Sequence, residues 1–233
     1  MSPVFKILVI LTSHATAGTS GQSTGLWLEE FTTPYYAFVD AGAQVEVASI
    51  AGGQVPVDPH SIEAVGKNPA SVERYLQDEA LRTRLATSIK IDGLAAADYD
   101  AVFMPGGHGT MWDLPTSDTL ARLVSTAWGE GKIVAAVCHG PAGLVNAKDE
   151  KGQPLVAGRR VAAFSNTEEV AAGMDKSVPF ALETRIRALG AHYESGPDFQ
   201  PFAVRDGRLV TGQNPASSAK VAELVLQALR EAK

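Results

Sequence analysis

Residues 4–11 form an apolar run of Val, Phe, Ile and Leu with Lys6 as its polar position. Such continuous apolarity predicts a central parallel strand covered on both faces. Small polar residues follow from Thr12 to Thr24 and read as a loop at the C-terminal end of that strand. Over about residues 25–41, Leu26, Trp27, Phe31, Tyr35, Phe38 and Val39 recur at mostly helical spacing, with Gly42 as the stop. Pro34 inside this pattern predicts a kink or a split. Residues 44–50, 99–104 and 132–137 read as further strands. Between the last two, Leu120, Leu123, Val124, Ala127 and Trp128 predict a helix over 117–128. The C-terminal part predicts a hairpin around Gly152, a strand near 161–164 and a short helix from about Thr167. A helix bearing Leu182, Ile186 and Leu189, a strand over 208–211 and a terminal helix over 216–231 complete the chain. Strands alternating with helices give an α/β sandwich, a mostly parallel sheet with helices on both faces.

One stretch breaks the rhythm. Residues 52–98 carry Pro56, Pro59 and Pro69 and a single predicted helix over 71–87, with too few large apolar residues for a core of their own. They read as a cap-like insertion over the sheet edge, or a dimer contact, within one domain spanning 1–233.

Composition narrows the function. The chain of 233 residues has a net charge of -6 and 45% hydrophobic residues. That acidity is the wrong electrostatic footprint for nucleic acid or for an anionic membrane. The N-terminal apolar run is too short to span a bilayer and lacks the flanks of a secretory signal. A single cysteine excludes an intrachain disulfide, and the expected setting is the reducing cytoplasm.

That cysteine, Cys138, stands where an apolar strand ends, and His139-Gly140-Pro141 come directly after it. A lone cysteine is often a small buried hydrophobe. Here the layout of strand, cysteine, tight turn and helix start resembles a nucleophile elbow, without the first glycine of the hydrolase version. The strained turn would hold the thiol clear of the sheet, and a helix N-terminus would favour thiolate. His139 is either a core histidine or the base for the thiol, with Glu168 or Glu169 as the carboxylate that orients it. Gly106 and Gly107 end the neighbouring strand; they are a simple turn or a source of oxyanion-binding N–H groups. His108 is a ligand or a loop residue. Glu29 and Glu30 lie about 100° apart on the first helix, so at most one faces the site. The five histidines are scattered, and no metal-binding or phosphate-binding motif occurs.

These motifs resemble those of the DJ/PfpI superfamily, whose flavodoxin-like fold is related to class I glutamine amidotransferase domains. The resemblance runs nearly end to end. It is carried by the strand from Lys6 to Ser13, by Thr24-Gly25 through Glu30 and Pro34, and by Met104-Pro105-Gly106-Gly107-His108-Gly109. Ala136-Val137-Cys138-His139-Gly140-Pro141 and the stretch from Asp206 to Ser218 complete it. Within the superfamily the pattern is similar to the glyoxalase III branch of small heat-shock-type proteins. The resemblance implies a glutathione-independent, cofactor-free glyoxalase, a hydro-lyase of the D-lactate dehydratase type. It would convert methylglyoxal or glyoxal to lactate or glycolate through a cysteine hemithioacetal. Cys138 is then the nucleophile, His139 and Glu169 its triad partners, and Glu30 the acid beside the sulfur. Gly106, Gly107, His108 and the His139 N–H would form the oxyanion and substrate region. No metal is implied, and a homodimer is. A deglycase or hydrolase using the same cysteine, or a holdase chaperone or oxidation sensor with an exposed thiolate, are the other activities the family brings with it.

Overall fold

The structure, a computed structural model, describes residues 4–232; residues 1–3 and 233 of the expected domain lie outside it. The chain runs β1 (Lys6–Leu11), α1 (Leu28–Asp40), β2 (Gln44–Ser49), α2 (Ala70–Gln77), α3 (Glu79–Ala86) and β3 (Ile89–Lys90). Then come β4 (Ala101–Met104), α4 (Thr110–Asp113), α5 (Asp118–Gly129), β5 (Ile133–Val137), α6 (Asn166–Ala171) and α7 (Leu182–Ala188). β6 (Ala203–Asp206), β7 (Leu209–Gly212) and α8 (Ser218–Glu231) close the chain. Small ladders pair Thr16–Ala17 with Gln22–Ser23, and Arg160–Val161 with His192–Tyr193.

The main sheet has seven strands in the order β6-β7-β5-β4-β1-β2-β3, parallel except for the β6–β7 hairpin at one edge. This is the α/β sandwich that the alternating pattern predicts. Both faces are covered, which explains the uninterrupted apolarity of β1. Ile7, Val9 and Leu11 pack with Phe31 and Phe38 of α1 and Val221 and Val225 of α8. Leu8 and Ile10 belong to the opposite layer, with Leu120 and Val124 of α5 and Ile186 of α7. Successive strand residues point to opposite faces, so one apolar run serves two cores. Register then aligns the functional ends. Val9 pairs with Phe103, Met104 with Ala136, and Val137 with Gly212. The loops after β1, β4 and β5 therefore open at one sheet edge, where ligands of parallel sheets bind.

Three local expectations are corrected, and one strand is added. Helix α1 runs unbroken through Pro34. The N–H that proline lacks would have met the carbonyl of Glu30, so the missing bond falls in the turn that carries that acid. The helix expected over 71–87 is two helices, because Asp78 leaves helical geometry and its carboxylate caps α3 through the Leu81 N–H (2.9 Å). In the stretch 161–164 only Val161 joins a ladder, and it lies outside the main sheet. Ala162 N–H instead donates to Thr211 Oγ1, and Phe164 N–H to the Cys138 carbonyl. Pairing Ala203–Asp206 against β7 adds a strand the pattern did not suggest. Among the described residues no helix is long and apolar enough to cross a membrane.

Candidate active site

Cys138 leaves β5 with φ +60°, a left-handed conformation that costs a non-glycine residue about 1–3 kcal/mol. Two backbone bonds hold it there. Its N–H donates to Gly212 O (3.0 Å) and its carbonyl accepts from Phe164 N–H (2.9 Å). The strain comes from the elbow: the strand's last apolar residue is pinned in the sheet, and the chain must turn at once. Beyond the turn the chain forms a 3₁₀ segment, Gly140–Leu144, and not the α-helix expected there. Its five residues supply little dipole, so the argument for a helix-stabilised thiolate does not hold. The thiol is also buried, at 3% exposure, rather than exposed. Burial first, then the charge and hydrogen bonding of Glu30, push its pKa well above the ordinary thiol value.

The turn folds His139 back onto the sulfur, with Nδ1 3.3 Å from Sγ. Nε2 lies 2.7 Å from Glu169 Oε2. Of the two adjacent acids, Glu169 is thus the one on His139. Ser165 caps α6 and forms a reciprocal capping box with Glu168, the side chain of each meeting the backbone N–H of the other. Glu168 is consumed there, and also accepts from Phe199 N–H (2.7 Å) and Asn214 Nδ2 (2.8 Å). Glu169, one residue on, is turned toward the imidazole. The spacing Ser165-x-x-Glu168 is a capping-box signature, and is the sequence signal that separates the two acids.

Glu169 accepts a second imidazole. His108 Nε2 is 2.6 Å from Oε1, and the two rings lie 4.2 Å apart. Burial alone would raise the Glu169 pKa, but the two histidines outweigh it and hold the carboxyl well below its usual range. An ionised carboxylate only accepts, so both Nε2 atoms carry hydrogen. His139 is buried, and its pKa is lowered by that burial and by His108, which keeps the ring neutral. The His108 ring thus shares Glu169 with His139. The donor atoms of His108, His139 and Glu169 lie within 4.8 Å of one another, the chemistry of a small divalent cation site. Each carboxylate oxygen already meets an N–H, so a cation would have to displace two protons.

On the opposite side, Glu30 reaches in from α1, fully buried, while Glu29 is half-buried. Its Oε2 accepts Gly106 N–H at 2.7 Å. Oε1 has no conventional partner, and the Cys138 thiol is the group that interacts with Glu30 on the sulfur side. Burial raises its pKa to about 8, partly offset by those contacts, so Glu30 holds a proton at neutral pH. Gly106 N–H is therefore spent on Glu30 and is not an oxyanion donor. The backbone N–H groups of Gly107 and His139 make no bond among the described residues. Close approach explains the glycine at 106: a Cβ there would meet His139 N at 2.6 Å and Glu30 Oε2 at 2.7 Å.

These groups floor a cavity of about 160 Å³, walled by Trp27, Phe164, Ala172, Phe199 and Pro215. Liquid water takes about 30 Å³ per molecule, so the space suits a molecule of a few heavy atoms. The sequence singled out none of these walls for the site, because they converge only in three dimensions. A wider groove of about 410 Å³ shares Trp27, His108 and Ala172 with it. A separate groove of about 580 Å³ lies at the other ends of β1 and β2 by Lys6, Glu46 and Arg84, and its lining has neither cysteine nor histidine.

Relatives carry the same architecture. The chain is 34% identical over 232 residues to Glyoxalase 3 of Candida albicans, covering 96% of this chain and 98% of that protein. It is 32% identical to glutathione-independent glyoxalase HSP31 of Saccharomyces cerevisiae, covering 97% and 98%. Among solved structures, Rapid Encystment Protein 24 kDa of Francisella tularensis superposes with a TM-score of 0.92 at 35% identity, over 97% of this chain and 99% of that one. Candida albicans glyoxalase III gives 0.86 at 32% identity, over 96% and 97%. Residues 24–228 match the DJ-1/PfpI family, and with a seven-stranded sheet and a strained cysteine at its centre, the chain belongs to that family.

Proposed function

We propose that the protein is a glutathione-independent glyoxalase that converts methylglyoxal or glyoxal to the corresponding hydroxy acid. One observation carries the reading. Cys138, His139 and Glu169 form a continuous relay, with Glu30 across from it, around a cavity sized for a small α-oxoaldehyde.

His139 Nδ1 takes the proton of Cys138, and the sulfur adds to the aldehyde carbon. The oxyanion that forms is met by the free N–H groups of Gly107 and His139 and takes the thiol's proton back from the imidazolium, which returns His139 to its neutral form. A proton then leaves the aldehyde carbon and another joins the neighbouring carbon through an enediol. His139 acts as base, and Glu30, which holds a proton at neutral pH, as acid. The first carbon is oxidised to a thioester while its neighbour is reduced to an alcohol. The redox balance closes within the substrate. Hydrolysis releases the hydroxy acid and frees the cysteine.

The test is lactate formation from methylglyoxal without glutathione. Cys138→Ala is expected to abolish it, and turnover near the wild-type rate in that variant would refute the mechanism. The homodimer and the cytoplasmic setting belong to the same proposal; light scattering in solution tests the first.

A further inference from the structure

Among the described residues, two that are not glycine hold a left-handed backbone, Cys138 at φ +60° and Phe199 at φ +57°. Both line the reaction cavity. The conformation of Cys138 follows from the elbow. That of Phe199 has no such cause, because it lies in a surface loop, residues 197–200, every one of which is exposed. A bulky side chain suits that backbone poorly, whereas glycine or asparagine adopts it readily. Nor does burial in a core offset the cost, for Phe199 is 48% exposed. The loop is nonetheless tied down residue by residue. Phe199 N–H donates to Glu168 Oε1 (2.7 Å), and Thr167 Oγ1 to Asp198 Oδ1 (2.7 Å). Asn214 Nδ2 donates to the Gln200 carbonyl (2.8 Å), and the Gln200 N–H to the Pro197 carbonyl (3.2 Å). Glu168 and Asn214 are fully buried, so interior polar groups fix a strained turn at the surface. What they hold in place is a ring. It meets the Phe164 ring in a T-shaped pair at 6.2 Å. Phe164 is buried and Trp27 half-buried, so Phe199 is the aromatic wall between the cavity and solvent.

We propose that Phe199 is the specificity-determining wall of the site: its ring closes the space beside Cys138 and limits the size of the group that an α-oxoaldehyde carries on its keto carbon. The inference rests on the glyoxalase reading. At about 30 Å³ per water-sized group, a cavity of about 160 Å³ holds about five non-hydrogen atoms. That is the size of methylglyoxal. A bulkier oxoaldehyde needs the place that the ring occupies. The buried Glu168 and Asn214 keep the loop from swinging aside, so the larger substrate meets a fixed wall. Discrimination of this kind comes from a clash built against the wrong substrate, and adds no contact to the right one.

Phe199→Gly and Phe199→Asn both remove the ring and both suit the left-handed backbone, so neither adds strain. The substrates to compare are methylglyoxal and tert-butylglyoxal, whose end is bulky but has no flat face to stack on an aromatic wall. The ratio of kcat/KM for tert-butylglyoxal to that for methylglyoxal is expected to rise about tenfold or more in both variants, the scale on which apolar pockets sort substrates by size. Cys138 is the only cysteine, so alkylation gives a second reading that needs no turnover. The rate of labelling by N-cyclohexylmaleimide relative to N-methylmaleimide, followed by intact-protein mass spectrometry, is expected to rise in the same variants. A labelling ratio or a measurable turnover ratio that stays at the wild-type value would overturn the proposal. A rise in Phe199→Gly alone would trace the change to a loosened loop and equally overturn it. A wild-type protein that makes no hydroxy acid from either aldehyde would refute the glyoxalase reading; a raised labelling ratio would then still uphold Phe199 as the closing wall. Matching Tm in both variants excludes misfolding as the cause.

Discussion

The two walls of the site present the same functional group in opposite states. On the α1 wall, Glu30 is fully buried with one N–H donor on Oε2 and an unpaired Oε1, and its pKa rises to about 8. On the α6 wall, Glu169 is nearly as buried, at 4% exposure, yet it is ionised because an imidazole N–H meets each oxygen. Desolvation acts on both. The number and charge of the donors decide which effect wins. The lesson is general for paired acids: environments that push two carboxyls apart assign one to hold a proton and the other to orient a base.

The harshest way to break this comparison is to remove the ionised acid. Glu169→Ala frees two imidazoles at once and unlocks the His139 tautomer. Turnover of methylglyoxal is expected to fall about 10³–10⁴-fold, the scale seen when a triad loses its acid. Turnover within tenfold of wild type would mean that the α6 wall does not orient the base.

Glu30→Gln probes the other wall with little structural cost, since the amide oxygen can still accept the Gly106 N–H. It removes the exchangeable proton, and kcat is expected to fall about 10²–10⁴-fold. An unchanged rate would relegate Glu30 to a structural role.

The same variant sharpens the electrostatic half of the comparison. Folded Glu30 keeps its proton up to about pH 8, whereas an unfolded glutamate ionises near 4.5. Between those values unfolding releases a proton. The contribution of Glu30 to stability is therefore full below about 4.5 and declines as pH rises toward 8. Denaturant unfolding should show wild-type stability falling across that window relative to Glu30→Gln. Parallel profiles would show that Glu30 is ionised in the folded protein.

The smallest effect on catalysis is expected one residue from Glu169. Glu168→Ala breaks the capping box and strands the Phe199 N–H, each worth about 1 kcal/mol or more. Chemical denaturation should report the loss, while kcat should stay within tenfold. A larger drop in turnover than for Glu169→Ala would reverse the roles assigned to the two acids.

Much of the fold was legible because its signals are local. Apolar runs that need cover on both faces marked β1 and β5, and helical spacing marked α5 and α8. Failures came where a side chain overrode the periodicity, as when Asp78 ended one helix and capped the next. At the site, Cys138, His139 and Glu30 were readable through motif and resemblance. The resemblance favoured Glu169 over Glu168, and the capping box gives the physical reason, since Glu168 is spent on Ser165. The helix expected after Cys138 was misread because Gly140-Pro141 looks like a helix start whether or not an α-helix forms.

The sequence alone determined the α/β sandwich, the single cysteine at a strand end and the short set of titratable groups that could reach it. Those properties depend on neighbours in the chain, through side-chain period and turn chemistry. Only the tertiary structure decided that Gly106 N–H is spent on Glu30, that two imidazoles divide one carboxylate, and that Phe164 and Phe199 wall the cavity. These facts depend on groups far apart in sequence competing for the same few hydrogen bonds in a space closed to water, and that competition is settled only once the sheet edge is assembled.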